Sequence, residues 1–430
     1  MKTLLKLTCA VAVLAGALNG FAQGDKRIDA LENQIRAMQQ RLDKVKEGDA
    51  ANRPPGWLDQ TGTSGLKFNF YGEMKYNMTK GKDGNYFDPH RFVLIPGFKL
   101  SDNAYFNAEL ELEHGGVDGA GDDTVVGKDA GRFDGELELE QFYADVKIND
   151  WLNWRSLGVS LIPIGSINLR HEPDQFYSVH RPIMYKKVIP STWMEGSMGF
   201  FGDVPQMEGL SWFFLVSQGL SSTDGGLITD SDGIRKTRPN LRAKGDNRQL
   251  AYTLRLEYDG ASSDTEWLKG FSGSTSTYIG NYQENVGTTG DTDLYLWDIE
   301  AKYRWSSGLL NNFEVIGDYA NLHFTDPDAI ADANVGDRMF GYRLELAYHH
   351  QMEGDQELIP FIRAEGYDLS EGGKSAGQTG KANSDTGSKN YLTYGTYFQL
   401  NRHMELKAVV RQSMDAVNST EFSIGVGYQF

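Results

Sequence analysis

The side chains able to act on a solute fall in two stretches of the sequence. Gly165 to Thr192 reads GSINLRHEPDQFYSVHRPIMYKKVIPST and sets Arg170, Arg181, Lys186 and Lys187 against Glu172 and Asp174, a local +2 in a chain of formal charge −17. His171 and His180 add two titratable rings. Three prolines, several aromatics and few glycines make this loop stiffer than a surface connection. Fixed charges at a narrowing select ions, so Arg170, His171, His180, Arg181, Lys186 and Lys187 are the candidate constriction residues. The second stretch is a pair of acidic rows at every other position, Glu109, Glu111 and Glu113, then Glu136, Glu138 and Glu140. They are opposed elsewhere by Arg91, Lys99, Arg255, Arg343, Arg363, Arg402, Lys407 and Arg411. Such groups suit a wet lumen, because burial in a soluble core is costly unless every charge is paired. The loop cations have a second use, pinning the loop to the Glu-rich wall, and the two roles are compatible.

Bond-making chemistry has no comparable support. Gly196-Ser197-Met198-Gly199 lacks the spacing of a nucleophile elbow. His349 and His350 are adjacent on a strand and so point to opposite faces, a poor start for a joint metal site. The acidic runs Asp118 to Asp123 and Asp230-Ser231-Asp232-Gly233 lack the ligand spacing of a calcium loop and read as solvated charge. Cys9 is the only cysteine, which removes disulfides and any cysteine-based site. No catalytic residue, cofactor or metal is expected, and net acidity disfavours a nucleic-acid partner.

The elements that must carry these residues are strands. From Leu66 onward the pattern has period two: Leu66, Phe68, Phe70, Gly72, Met74, Tyr76 and Met78 alternate with Lys67, Asn69, Tyr71, Glu73, Lys75 and Asn77. Strands are predicted near 66–78, 87–100, 103–114, 134–149, 153–164, 193–203, 209–218, 248–260, 274–285, 292–305, 309–321, 338–351, 356–368, 389–401, 404–415 and 419–430, an even set of sixteen. Short links alternate with long polar ones at 115–133, 165–192, 219–247, 322–337 and 369–388, although the links after the first, ninth and fifteenth strands are short as well. Tight turns at one end and long loops at the other are the pattern of an outer-membrane barrel. Aromatics near strand ends on the apolar face, such as Tyr252, Tyr258, Phe340, Tyr342, Tyr348, Phe422, Tyr428 and Phe430, fit girdles at two membrane interfaces. After Glu140 the alternation slips at Gln141-Phe142, which predicts a β-bulge. The fold class is therefore all-β, a transmembrane antiparallel β-barrel of about sixteen strands over residues 66–430, with soluble sandwiches or a propeller as the alternative.

Three segments precede it. Residues 1–22, with Lys2, Lys6, the apolar run Leu7 to Leu18 and Gly20-Phe21-Ala22, read as a secretory signal peptide cleaved after Ala22, which would take the net charge from −17 to −19 by removing two lysines. Residues 23–47 carry Ile28, Leu31, Ile35, Met38, Leu42 and Val45 at alternating spacings of three and four, the seam of a short periplasmic coiled coil. The alternative is an amphipathic helix docked on its own barrel. Residues 48–65, with Pro54-Pro55, form a linker.

Against this background the stretch LEQFYADVKINDWLNWRSLGVSLIPIG, followed by NLRHEPDQFYSVHRP and VIPSTWMEGSMGFFG, resembles the phosphate-selective porin O and P family over residues 139–202. The resemblance implies a sixteen-stranded, usually trimeric barrel that passes small anions. The acidic third and fourth strands and the lack of a dense arginine and lysine ladder depart from a phosphate channel. The last strand, with Phe422, Ile424, Val426, Tyr428 and Phe430, resembles the signal by which outer-membrane barrels meet their assembly machinery. The expected location is the outer membrane of a Gram-negative bacterium, with outer-membrane lipid and other copies in a homotrimer as partners. The expected function is passive diffusion of small hydrophilic solutes or ions. A structural or adhesive barrel with a plugged lumen is the runner-up, and an enzyme ranks below both.

Overall fold

The structure is a computed structural model that describes residues 66–79, 85–116, 135–221, 227–238, 250–283, 291–332, 334–372, 388–415 and 419–430. The expected leader, heptad helix and linker lie outside the described residues, as do Asp118 to Asp123. The strands are β1 Leu66–Thr79, β2 Tyr86–Ser101, β3 Ala104–Glu113, β4 Leu137–Lys147, β5 Asn153–Leu161, β6 Met194–Asp203, β7 Leu210–Gln218, β8 Leu250–Asp259 and β9 Phe271–Gln283. They continue as β10 Asp291–Arg304, β11 Phe313–Phe324, β12 Arg338–Tyr348, β13 His350–Gln351, β14 Glu357–Glu371, β15 Lys389–Asn401, β16 Met404–Ser413 and β17 Thr420–Gln429. β12 and β13 both pair with β14 and are one strand interrupted at His349, so the seventeen segments make sixteen staves.

Every stave pairs antiparallel with its sequence neighbours, and β1 also pairs with β17 from Tyr71↔Gln429 to Thr79↔Glu421. The sheet is thus closed, with no edge left unpaired in a solvent that cannot supply hydrogen bonds. Beyond the last residue of β17, Phe430 exchanges both backbone hydrogen bonds with Phe70, at 2.9 and 3.1 Å, and stacks its ring on Phe70 at 4.6 Å. Tight links such as Ser101–Ala104 and Asn401–Met404 occupy one end together with Leu66 and Phe430, and the long connections occupy the other. No helix among the described residues is long and apolar enough to cross a membrane.

Burial is inverted relative to a soluble domain. Phe68, Met74, Phe92, Leu254, Trp297, Leu344, Ile362 and Ile424 are exposed on the outer face, whereas Glu73, Arg91, Glu109, Asp298, Arg343, Glu345, Arg363 and Glu405 are buried inside. An apolar belt around a charged interior is what a hydrocarbon surround selects.

Three expectations are adjusted. The strand placed at 309–321 begins at Phe313, because Gly308 and Asn312 adopt positive φ and turn the chain, leaving Leu309 98% exposed. The bulge falls one residue earlier than the sequence suggests: Leu110 faces Leu139 and Glu109 faces Gln141, so Glu140 is the extra residue and both Glu140 and Gln141 turn inward. The link from Asp259 to Phe271, at the tight end, is lengthened by the one-turn helices Gly260–Ser262 and Glu266–Leu268.

Candidate functional site

The segment between β5 and β6 does not stay at the rim. Its aliphatic and aromatic side chains, among them Ile162, Ile164, Phe176, Met184, Tyr185, Val188, Ile189 and Trp193, are buried within the barrel. One cluster joins them to Tyr278, Leu294, Leu296, Leu322 and Met339 on the inner face of β9 to β12. A second joins Val179 to Ala347, Ile359, Phe361, Tyr397 and Val409. Wall residues where the loop presses are small: an added Cβ at Gly425 would stand 3.1 Å from Val179 Cγ2, and one at Gly341 2.7 Å from Met184 Cβ. Two one-turn helices, Ser166–Leu169 and Met184–Lys187, shape the loop.

Wall charges fasten it around much of the circumference. Lys407 donates to the carbonyls of Pro173, Phe176 and Ser178. Arg91 donates to the His171 carbonyl, Arg363 to the His180 carbonyl at 3.3 Å, and Ile183 N–H donates to Glu365 at 2.7 Å. Glu300 accepts from Ser166 N–H, Ser166 Oγ and Tyr185 O–H. Tyr177 donates to Glu314 at 2.6 Å. The buried acids and bases therefore bond a loop whose backbone would otherwise be unsatisfied.

The six candidate constriction residues divide. Arg170 pairs with Glu257, His171 packs against Glu140 at 3.4 Å, and His180 pairs with Glu421 at 2.9 Å. Burial, then the Arg181 and Arg91 charges, push His171 down to about 3. Burial also lowers His180. Arg181, Lys186 and Lys187 are freer. Arg181 donates to Thr192 Oγ1 at 3.3 Å and has no ion-paired carboxylate among the described residues, Lys186 is exposed, and Lys187 lies 3.6 Å from Asp232.

A second loop joins them. Arg235 donates to the Ser191 carbonyl at 2.7 Å, Arg238 to the Thr192 carbonyl, and Lys187 to the Ser231 carbonyl at 2.5 Å. These contacts bring Arg235, Lys236 and Arg238 beside Lys186 and Lys187. Surrounding protein and then Arg235 hold Lys186 below its ordinary range, and burial with Arg235 brings Arg238 to about 10. Mutual repulsion of this kind is relieved by an anion. These three cations are not among the expected constriction residues, although the run Ile234-Arg235-Lys236-Thr237-Arg238 is a legible basic cluster inside a long polar link.

Of the expected wall residues, Arg91, Glu109, Glu111, Glu140, Arg255, Arg343 and Arg363 are buried on the inner face, and Glu113, Glu138 and Arg411 are half-buried. Lys99 instead sits at the tight-turn rim with Asp102 at 2.9 Å, and Glu136 is exposed at the opposite rim, because both lie at the limit of their strands. The inward arginines are paired: Arg91 with Glu73 at 2.8 Å, Arg343 with Asp318 at 2.5 Å, Arg363 with Glu365 at 3.1 Å, Arg411 with Glu421 at 2.6 Å and Arg255 with Glu257 at 3.0 Å. Phe422 and Tyr428 face outward on β17, on either side of inward Ser423, Gly425 and Gly427.

No protein-family profile matches the chain. It is 27% identical over 313 residues to an uncharacterized protein of Aquifex aeolicus, covering 71% of this chain and 66% of that one, just under two thirds of its length. Among solved structures it is similar to the Salmonella typhi OmpF complex with daunomycin (TM-score 0.53, 12% identity, 86% of this chain and 99% of that one). It is also similar to a loop L8 deletion mutant of OmpT, an outer membrane protein of Vibrio cholerae (0.51, 9%, 85% and 99%). A third similar structure is the outer membrane channel DcaP of Acinetobacter baumannii (0.50, 11%, 87% and 99%). The chain thus has the closed sixteen-stranded barrel fold of Gram-negative outer-membrane proteins, the porins among them.

Proposed function

We propose that this protein is a passive diffusion channel for small hydrophilic solutes, with anions favoured at its narrowing. The observation that carries the reading is the inserted loop, bonded to the wall from β2 to β17 yet leaving Arg181, Lys186 and Lys187 beside Arg235, Lys236 and Arg238, six cations with Asp232 shared between Lys187 at 3.6 Å and Lys236 at 2.7 Å. Net acidity elsewhere matters less to a permeating ion, because charge beyond about 8–10 Å is screened at physiological salt. The resemblance of residues 139–202 to phosphate-selective porins points the same way, with phosphate or another small oxyanion as the solute class.

Purified protein in planar bilayers should give stepwise conductance. Folded but silent protein would support the second reading, a structural or adhesive barrel, which the apolar packing of loop and wall inside the lumen favours. The same proposal places the chain in the membrane as a homotrimer. Deleting residues 25–47 and measuring mass by native mass spectrometry should lower the trimer fraction if the heptad seam contributes. Phe422, Tyr428 and Phe430 are proposed as the assembly signal, and removing Phe430 should reduce the outer-membrane yield.

A further inference from the structure

The acidic wall beneath the start of the inserted loop lacks the pairing found elsewhere. Glu140, the extra residue of the β4 bulge, is fully buried, and neither carboxylate oxygen has a hydrogen-bond partner. Facing it is His171, 1% exposed, whose Nε2 is equally unpartnered. The other ring nitrogen lies 3.2 Å from the Asn168 carbonyl, which can only accept. That contact puts a proton on Nδ1 and leaves Nε2 as the ring nitrogen that faces the acidic wall. It points at two carboxylates, 3.4 Å from Glu140 Oε2 and 3.8 Å from Glu109 Oε1.

We propose that Glu109, Glu140 and His171 bind a divalent transition-metal ion, with Glu111 and Glu138 beside them, fastening the start of the inserted loop to the β3–β4 wall. The donor atoms of Glu109, Glu140 and His171 lie within 4.8 Å of one another, and Glu111, Glu138 and Glu140 form a second such group that shares Glu140. Ligands about 2.1 Å from a tetrahedral ion stand about 3.4 Å apart, which is the His171 to Glu140 separation and is long for a hydrogen bond. One imidazole with carboxylates suits zinc and its neighbours better than calcium or magnesium, which favour all-oxygen sets. The supporting contacts are those of a metal site. The Asn168 carbonyl orients His171, while Tyr71 O–H at 3.2 Å and the Gln141 amide hold Glu109. Three arginines face the group: Arg91 is engaged by Glu73 and the His171 carbonyl, with Glu111 only at 3.8 Å, while Arg181 lies towards Glu111 and His171 and Arg238 towards Glu138 and Glu140, neither in an ion pair among the described residues.

The experiment is titration calorimetry with Zn2+ alone on full-length protein in detergent, after chelator treatment and dialysis. Wild type should bind one equivalent at micromolar or tighter dissociation constant, E140Q and H171A should each weaken binding at least tenfold, and Ca2+ should not compete. Zn2+ should also raise the unfolding temperature of wild type and not of E140Q, which keeps the shape of the bulge. The double variant H90A/H114A, which removes two of the three ligands of the Asp88, His90 and His114 group, should bind as wild type does. No binding at 100 μM Zn2+, binding that survives in both E140Q and H171A, or binding lost only in H90A/H114A would overturn the proposal. Binding is read without conductance, so a silent barrel that binds Zn2+ refutes the channel and spares the site, and a conducting barrel that ignores Zn2+ does the reverse.

Discussion

The two halves of the inserted loop use the same residue types for opposite purposes. In the first half, Arg170 is held by Glu257 and His180 by Glu421, and the backbone of 171–180 is bonded by Arg91, Arg363 and Lys407. In the second half, Lys186 and Arg181 have no paired carboxylate among the described residues; Lys186 stands with Arg235 from the next loop, and Arg181 stands with Arg91 and shares Thr192 with Arg238. A cation that is already neutralised holds structure in place, whereas a cation crowded by its own sign offers a field to a passing ion. Charge counted along a loop therefore says little about charge available to solute.

The largest effect should come from the second half. Neutralising Arg181, Lys186, Lys187 and Arg235 together to Gln should reduce the chloride-to-potassium permeability ratio several-fold, read from the reversal potential in a KCl gradient. An unchanged ratio would erase the distinction between the halves. Next in size is Lys407→Met, which strips three loop carbonyls of one donor at a cost of about 1–3 kcal/mol for each group left buried and unbonded. It should appear as noisy, enlarged single-channel conductance and a lower unfolding temperature, with selectivity retained. Gly425→Leu drives a side chain into Val179 and should cost roughly 1–3 kcal/mol by overpacking. Thermal unfolding measures it, and a neutral result would mean the loop is not pressed against β17. Arg170→Gln should move the reversal potential least, since Glu257 already cancels the charge; a shift as large as that of Lys186→Gln would break the comparison.

The barrel was legible because period-two alternation survives over sixteen segments and because turn and loop lengths differ at the two ends. Glycine and asparagine at positive φ moved the start of β11, where Leu309 and Leu310 mimic a strand that the backbone cannot continue. The inserted loop was legible in its prolines, aromatics and local charge. Which of its cations are consumed was not, since Glu257 and Glu421 are distant in sequence and meet Arg170 and His180 only once the sheet is closed. The run 234–238 was visible but carried no signal of where it would dock. The opposition of Glu140 and His171 depends on a one-residue bulge, whose exact position decides which of two adjacent side chains points inward.

The central claim is that local, unpaired cations outweigh an acidic chain in setting what passes. Reversal potential of the wild-type channel under a tenfold KCl gradient tests it most directly. The potential should lie on the chloride side of zero and collapse as salt is raised and screening shortens. A potassium-selective potential would contradict it.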